Sequence, residues 1–229
     1  MKDNTWGMAR INWRFSYVAY VVATIGLLGG LVNYVMSFFT DTSDNESLAL
    51  GNYLLLLPVG IALFVCARNF RKLMHLGGRR MDFFRSGWIT FTVPAVMVSA
   101  VMVVLHWTLD RYMVTAGRMS LALDLLTVFG FADRGIVIAF LQMLAWTLAV
   151  CSLVWTLALI QGRWYGWLVD VLLIVIISVG TPVASLRVAL VWFFDVTIFG
   201  PWAIQVLACL VLAAAVYAAS LIPIRSKSL

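Results

Sequence analysis

Charge is what this 229-residue sequence has least of: Asp, Glu, Lys and Arg make up 11% of it, against 63% hydrophobic residues. That balance excludes a water-soluble globular domain of ordinary composition, and the chain is read as one that folds in lipid. Cysteine is scarce as well. Cys66, Cys151 and Cys209 are odd in number, fall in different apolar runs and include no CxxC pair, so neither a disulfide framework nor a zinc site is suggested. Catalytic motifs are missing. There is no GxSxG, HExxH or GxGxxG, and no Gly is followed by Lys, so a phosphate-cradling Walker loop is absent and ATP is not bound in that way. Without a nucleophile–base pair or a metal cluster, an intramembrane enzyme is disfavoured. His75 and His106 are the only histidines, and about 46 Å of helix would separate them, too far to share a haem. His75 reads as a solvated loop residue and His106 as an interfacial one, and no metal site is expected.

Long apolar runs are abundant. A hydrocarbon core about 30 Å thick needs roughly 20 mostly apolar residues per helical pass, and residues 16–39, 48–67, 88–109, 136–160 and 204–224 meet or nearly meet that length. A sixth run is interrupted by Gly180, Thr181, Pro182, Ser185 and Arg187. Its first part, 167–180, reads as the bulk of one pass. Its second part, 182–199, is short and polar for a crossing and reads as a re-entrant or interfacial pair of helices on the far side, where protein or a water-filled cavity must cover irregular backbone. Basic residues set the orientation, because Lys and Arg accumulate in short cytoplasmic loops. Lys2, Arg10, Arg14, Arg68, Arg71, Lys72, Arg79, Arg80, Arg85, Arg163, Arg225 and Lys227 fall inside, whereas Arg111, Arg118, Arg134 and Arg187 fall outside with Asp41, Asp44, Glu46, Asp110, Asp124, Asp133 and Asp195. The predicted fold is an all-α polytopic membrane protein: one transmembrane domain over residues 1–229, six transmembrane helices, and both termini cytoplasmic.

The apolar run after Arg14 is too long for a signal-peptide core and no small-residue cleavage pattern closes it. Before it, on a helix, Arg10 and Arg14 stand one turn apart and Trp6 lies beside Trp13, as in an interfacial helix over residues 1–15. Gly26 and Gly30 have the GxxxG spacing of a helix-packing seam, and Ala213, Ala214, Ala215, Ala218 and Ala219 give the last pass a small-residue side. Asp170 reads as an interfacial carboxylate facing Arg163 or the bundle interior. Residues 110–134 read as an outer loop with an amphipathic helix.

The densest positive charge lies in the cytoplasmic loop 68–87, ARNFRKLMHLGGRRMDFFRSG with its flanking Ala67. Phe70, Leu73 and Met74 predict a helical extension of the second pass; Gly77 and Gly78 break it, and 79–85 restarts a short helix. That second helix carries Met81, Phe83 and Phe84 beside Arg79, Arg80, Asp82 and Arg85. Apolar anchors within an Arg rim suit a protein docking surface; equally, the charges obey the positive-inside rule and contact anionic lipid.

The order of basic leading helix, two passes, a cytoplasmic loop with LGGRRMDFFRSG, three further passes and a broken outer segment before the last pass, and a basic tail resembles the type-2 permease subunits of bacterial ATP-binding-cassette exporters. The resemblance covers the whole chain in architecture, and its residue-level motif is LGGRRMDFF. It implies that Gly77, Gly78, Arg79, Arg80, Met81, Asp82, Phe83, Phe84 and Arg85 form the coupling helix that seats in an ATPase subunit. It also implies that Trp6, Arg10, Trp13 and Arg14 belong to a connecting helix, and that 182–199 forms the outer re-entrant helices. The expected function is export of an amphipathic or hydrophobic substrate, a peptide, drug or lipid, across the bacterial cytoplasmic membrane. The expected partners are a separate ATP-binding-cassette ATPase carrying ATP and Mg, a second permease subunit, identical or related, and membrane lipids, with no nucleic acid and no cofactor in this chain. The alternative is a non-transporting anchor or sensor subunit that recruits a cytoplasmic partner through the same loop.

Overall fold

A computed structural model describes residues 5–39, 46–75, 78–116, 121–161, 164–180 and 182–226. Lys2, Asp41, Asp44, Gly77, Arg118, Arg163, Thr181 and Lys227 lie outside the described residues.

The chain starts with α1 (Thr5–Phe15) and α2 (Tyr17–Phe39). The break between them is made at Ser16, whose hydroxyl donates to the carbonyl of Asn12 at 2.6 Å and so takes up an acceptor that the end of α1 leaves open. A three-residue strand, β1 (Glu46–Leu48), leads to α3 (Leu50–Leu54) and α4 (Leu56–Phe64), then a π-helical turn over Val65–Asn69 and α5 (Phe70–His75). The longest helix is α6 (Arg80–Leu105), which runs through a second π-turn (His106–Asp110) into α7 (Arg111–Thr115). After β2 (Leu121–Leu123), α8 (Leu125–Val128) and a 3-10 turn (Ala132–Arg134) come α9 (Ile136–Ile160) and α10 (Trp164–Gly180). Then follow α11 (Ala184–Phe194), a third π-turn (Asp195–Phe199), α12 (Trp202–Ala219) and α13 (Leu221–Ser226).

Among the described residues, five helical stretches are long and apolar enough to cross a membrane: Tyr17–Met36, Leu50–Ala67, Arg80–Thr115, Ile136–Ile160 and Trp202–Arg225. They coincide with the five apolar runs of the sequence, and the protein has the make-up of a helical multi-pass membrane protein. α10 is shorter; its 17 residues span about 26 Å, somewhat less than the hydrocarbon thickness.

The middle of the bundle is α9, which lies against α12, α6 and α4. Small residues allow this, because Ala145, Ala149, Cys151 and Ala158 of α9 and Cys209 and Ala213 of α12 are buried in one cluster and let the backbones approach. The small-residue side expected for the last pass is narrower than its sequence: Ala213 is buried, whereas Ala214, Ala215, Ala218 and Ala219 are exposed. Gly135, at φ 91°, turns the chain into α9 in a backbone region that favours glycine.

Gly26 and Gly30 form an internal seam. A Cβ at Gly26 would lie 2.9 Å from Leu56 Cδ1, and one at Gly30 would lie 2.8 Å from the Tyr53 ring, so both glycines admit side chains of α3 and α4 against α2. Gly30→Val is therefore expected to overpack the seam and cost about 1–3 kcal/mol, read as a lower unfolding temperature of the detergent-solubilised protein. An unchanged midpoint would place the seam elsewhere.

At the end of the bundle remote from the basic segment, β1 and β2 pair in parallel, Glu46 opposite Leu121 and Leu48 opposite Leu123. Asn52 extends the junction, donating to Leu123 O at 2.7 Å and accepting from Leu125 N at 3.2 Å. The amphipathic helix expected over 110–134 is thus not one element. Leu121 and Leu123 belong to a strand, and Asp124, extended at φ −107° and ψ 136°, starts a new helix by accepting from Leu126 N.

Candidate functional site

The basic end is assembled from α1, α5, the start of α6 and α13. In α1, Met8, Ala9 and Asn12 are buried, while Arg10 and Arg14 are exposed. Trp6 and Trp13 meet edge to face at 6.0 Å. Trp13 Nε1 donates to the carbonyl of Thr90 at 2.8 Å, so one side of α1 is bound to α6 and the other carries its charge. Phe70, Leu73 and Met74 of α5 are buried as one face. Gly78 N donates to Leu73 O at 2.9 Å, which closes the end of α5. A Cβ at Gly78 would lie 2.5 Å from Met8 Cε, so this glycine also marks a close approach to α1.

The short cytoplasmic helix expected over 79–85 is not separate. Residues from Arg80 onward are the first turns of α6, continuous with the membrane-crossing stretch. The physical reason is at Gly87, which reads in sequence as the end of a loop but is buried inside the helix, where a side chain would collide with Trp155 and the Tyr217 hydroxyl. The Arg80–Thr115 stretch has 36 residues, about 54 Å of helix, and so projects beyond a hydrocarbon core about 30 Å thick.

This continuity divides the described coupling-segment residues between two faces. Phe83 is fully buried, stacked on Trp155 at 5.4 Å and edge-on to Phe70 at 5.1 Å. Phe84 is half-buried and stacks on Tyr217 at 4.7 Å, and the Tyr217 hydroxyl donates to the Phe84 carbonyl. These two rings, expected at an outer docking surface, are joined instead to α9 and α12 of their own chain. Arg79, Met81 and Arg85 are exposed, and Asp82 sits in the first turn of α6 where the helix dipole favours a carboxylate. Arg80 donates to the carbonyl of Arg225 and ties α6 to α13. Hydrophobic patterning could not separate the two sets, because Met81, Phe83 and Phe84 are equally apolar; only the helical register relative to Gly87 distinguishes them.

The interrupted segment folds back on the bundle. α11 contacts α10, and the π-turn that follows contacts α12. Cys209 Sγ donates to Thr197 O at 3.3 Å and Arg134 Nη1 to Gly200 O at 2.9 Å. Extended backbone at Gly200 before Pro201 ends the turn and lets α12 begin. On α10, Asp170 accepts from Gln161 Nε2 at 2.8 Å; the expected partner Arg163 lies outside the described residues.

At the remote end the structure gathers three residues that the sequence reading kept apart. His106, Asp110 and Asp124 each offer a ligand atom, all within 4.8 Å of one another. His106 Nδ1 and Asp124 Oδ2 are joined at 2.7 Å, and Tyr34 of α2 donates to Asp110 Oδ1. The signal was present in the His106–Asp110 spacing, one turn apart on a helix, but the contribution of Asp124 depends on the loop's return and has no local signature.

No protein-family model, no curated protein and no solved structure matches this chain.

Proposed function

We propose that this chain is the membrane-spanning permease subunit of an ATP-driven exporter of the ATP-binding-cassette type, as the resemblance of its LGGRRMDFF segment implies. The observation that carries the reading is the interrupted segment between α10 and α12. An anchor has no use for a pass followed by a helix that turns back, whereas a gated path uses discontinuous helices. In this reading α10 is a sixth, short pass, accommodated by modest local thinning of the bilayer. The segment 182–199 is re-entrant, and both termini share the cytoplasmic face of a bacterial plasma membrane with the basic end. An open apolar groove of about 460 Å³, with Trp13, Tyr20, Ile61, Pro94 and Met97 among its walls, suits a hydrophobic or amphipathic substrate. A second permease subunit, identical or related, completes the path, and ATP and Mg are held by a separate ATPase.

The ATPase meets the exposed side of the α6 start, Arg79, Met81 and Arg85, and the buried ring of Phe83 and the half-buried ring of Phe84 pass its displacement into α9 and α12. A stiff continuous helix transmits such a movement as a rigid-body shift. Purification in mild detergent from the native host is expected to bring a nucleotide-hydrolysing ATPase subunit with the chain. In the variant Arg79→Glu, Met81→Ala, Arg85→Glu its recovery is expected to fall by about tenfold or more, because reversed charge at an interface is repulsive, while the permease stays folded. A partner without nucleotide hydrolysis would favour the anchor or sensor reading, and recovery of the chain alone under every condition would refute the exporter.

A further inference from the structure

We propose that His106, Asp110 and Asp124 form a binding site for a divalent cation of the zinc class at the end of the bundle remote from the basic segment. This inference does not depend on the transport reading. It starts from burial. Asp110 and Asp124 are almost completely inaccessible, at 3% and 1% exposure, and ionised carboxylates are retained in such surroundings only when a positive charge or a full set of donors compensates them.

The donors present are incomplete in a patterned way. One oxygen of each carboxylate is anchored by the protein: Asp110 Oδ1 accepts from the Tyr34 hydroxyl, and Asp124 Oδ1 accepts from Leu126 N at 3.3 Å. The second oxygens are placed differently. Asp124 Oδ2 faces His106 Nδ1 at 2.7 Å, and Asp110 Oδ2 is buried with no hydrogen-bond partner. Carboxylates held by one oxygen with the other free for a cation are what outer-shell anchoring produces at metal centres. Tyr34 is itself held, accepting from Leu50 N at 3.4 Å, so the support reaches α2 and α3.

The donor set selects the ion. One imidazole and two carboxylates, with water as a fourth ligand, match a tetrahedral zinc site, whereas calcium takes six to eight oxygens and magnesium an octahedral, largely hydrated shell. Two ionised carboxylates with a neutral imidazole also balance one divalent charge. Ligand atoms in a tetrahedral zinc shell stand about 3.3 Å apart, so small side-chain rotations bring this cluster from its 4.8 Å spread into register. Binding replaces the hydrogen bond between His106 and Asp124, and any proton in it leaves for solvent. A cavity of about 310 Å³ bordered by His106, Asp110, Arg111 and Asp133 gives water and the ion a route to the site; Arg111 and Asp133 there offset each other in charge.

The test is titration of the tag-free full-length protein in lipid nanodiscs with Co²⁺, read by visible d–d absorption, and with Zn²⁺ as competitor. Wild type is expected to take up one Co²⁺ per chain, displaced by Zn²⁺ and not by Mg²⁺ or Ca²⁺. Asp110→Asn and His106→Gln are expected to weaken uptake by at least about 100-fold, and Tyr34→Phe, which loses the outer-shell donor to Asp110 together with its acceptor for Leu50 N, by about tenfold. X-ray absorption of the bound ion should show one imidazole nitrogen in its shell. No saturable uptake by wild type, uptake unchanged in the three variants, or an all-oxygen shell would each overturn the site, and the wild-type measurements decide even where a variant fails to fold.

Discussion

Replacing Phe83 by Ala is expected to unfold or severely loosen the bundle, at a cost of about 3–5 kcal/mol. Phe83 is one of the largest fully buried side chains, and its ring lies between Phe70 of α5 and Trp155 of α9. Removing it leaves a cavity at the point where three segments of the chain meet. In lipid the transfer of apolar surface contributes little to helix association, so lost packing is the main term, and aromatic pairs add about 0.5–1.5 kcal/mol each beyond buried area. The measurement is the unfolding midpoint of the detergent-solubilised protein, with Met81→Ala as its partner. Met81 is on the same turn but 41% exposed, and its truncation is expected to leave the midpoint nearly unchanged while weakening the proposed ATPase contact. If Phe83→Ala were as stable as wild type, the ring could not be the internal link assigned to it, and a docking anchor would again be its better description.

What could be read from sequence, and what could not, divides along the same line. Hydropathy over some twenty residues is a one-dimensional property, and the run 136–160 is recovered as α9 residue for residue. The Trp6–Trp13 pairing in α1 is recovered too, because residues seven apart lie on one side of a helix whatever surrounds it. Orientation of a helix about its own axis is different. Nearly every residue of a membrane helix is apolar, so hydrophobicity does not mark the face that meets protein, and Phe83 reads the same as Met81. The His106, Asp110 and Asp124 cluster fails for another reason. Asp110 and Asp124 look like ordinary residues of an aqueous loop, and only the pairing of β1 with β2 and the capping of α8 by Asp124 bring the second carboxylate to the histidine. The length of α6 was hidden by Gly87, since a glycine after an Arg-rich run reads as a loop.

Gly87 is also where the second large effect is expected. Gly87→Val should abolish the folded bundle or force α6 away from α9 and α12, because a Cβ there already overlaps the Trp155 ring and the Tyr217 hydroxyl. Neither neighbour yields easily. Trp155 is fully buried with Phe83 and Phe91 against it, and Tyr217 is held by its hydrogen bond to Phe84 and by the rings of Phe84 and Trp88. Overpacking usually costs about 1–3 kcal/mol where surroundings can shift; here both neighbours belong to tightly held rings, so a value at or above the top of that range is expected. Trp155→Ala in the same chain supplies the decisive comparison. If steric conflict with the indole is the cause, the large-to-small change should restore part of what Gly87→Val loses, giving a coupling of about 0.5–3 kcal/mol in a double-mutant cycle. Strict additivity would mean that Gly87 matters for some other reason. A positive coupling would identify Gly87 as the residue that lets α6 run unbroken from the exposed Arg79, Met81 and Arg85 into the centre of the bundle, which a helix must do if a push at its exposed start is to reach α9 and α12.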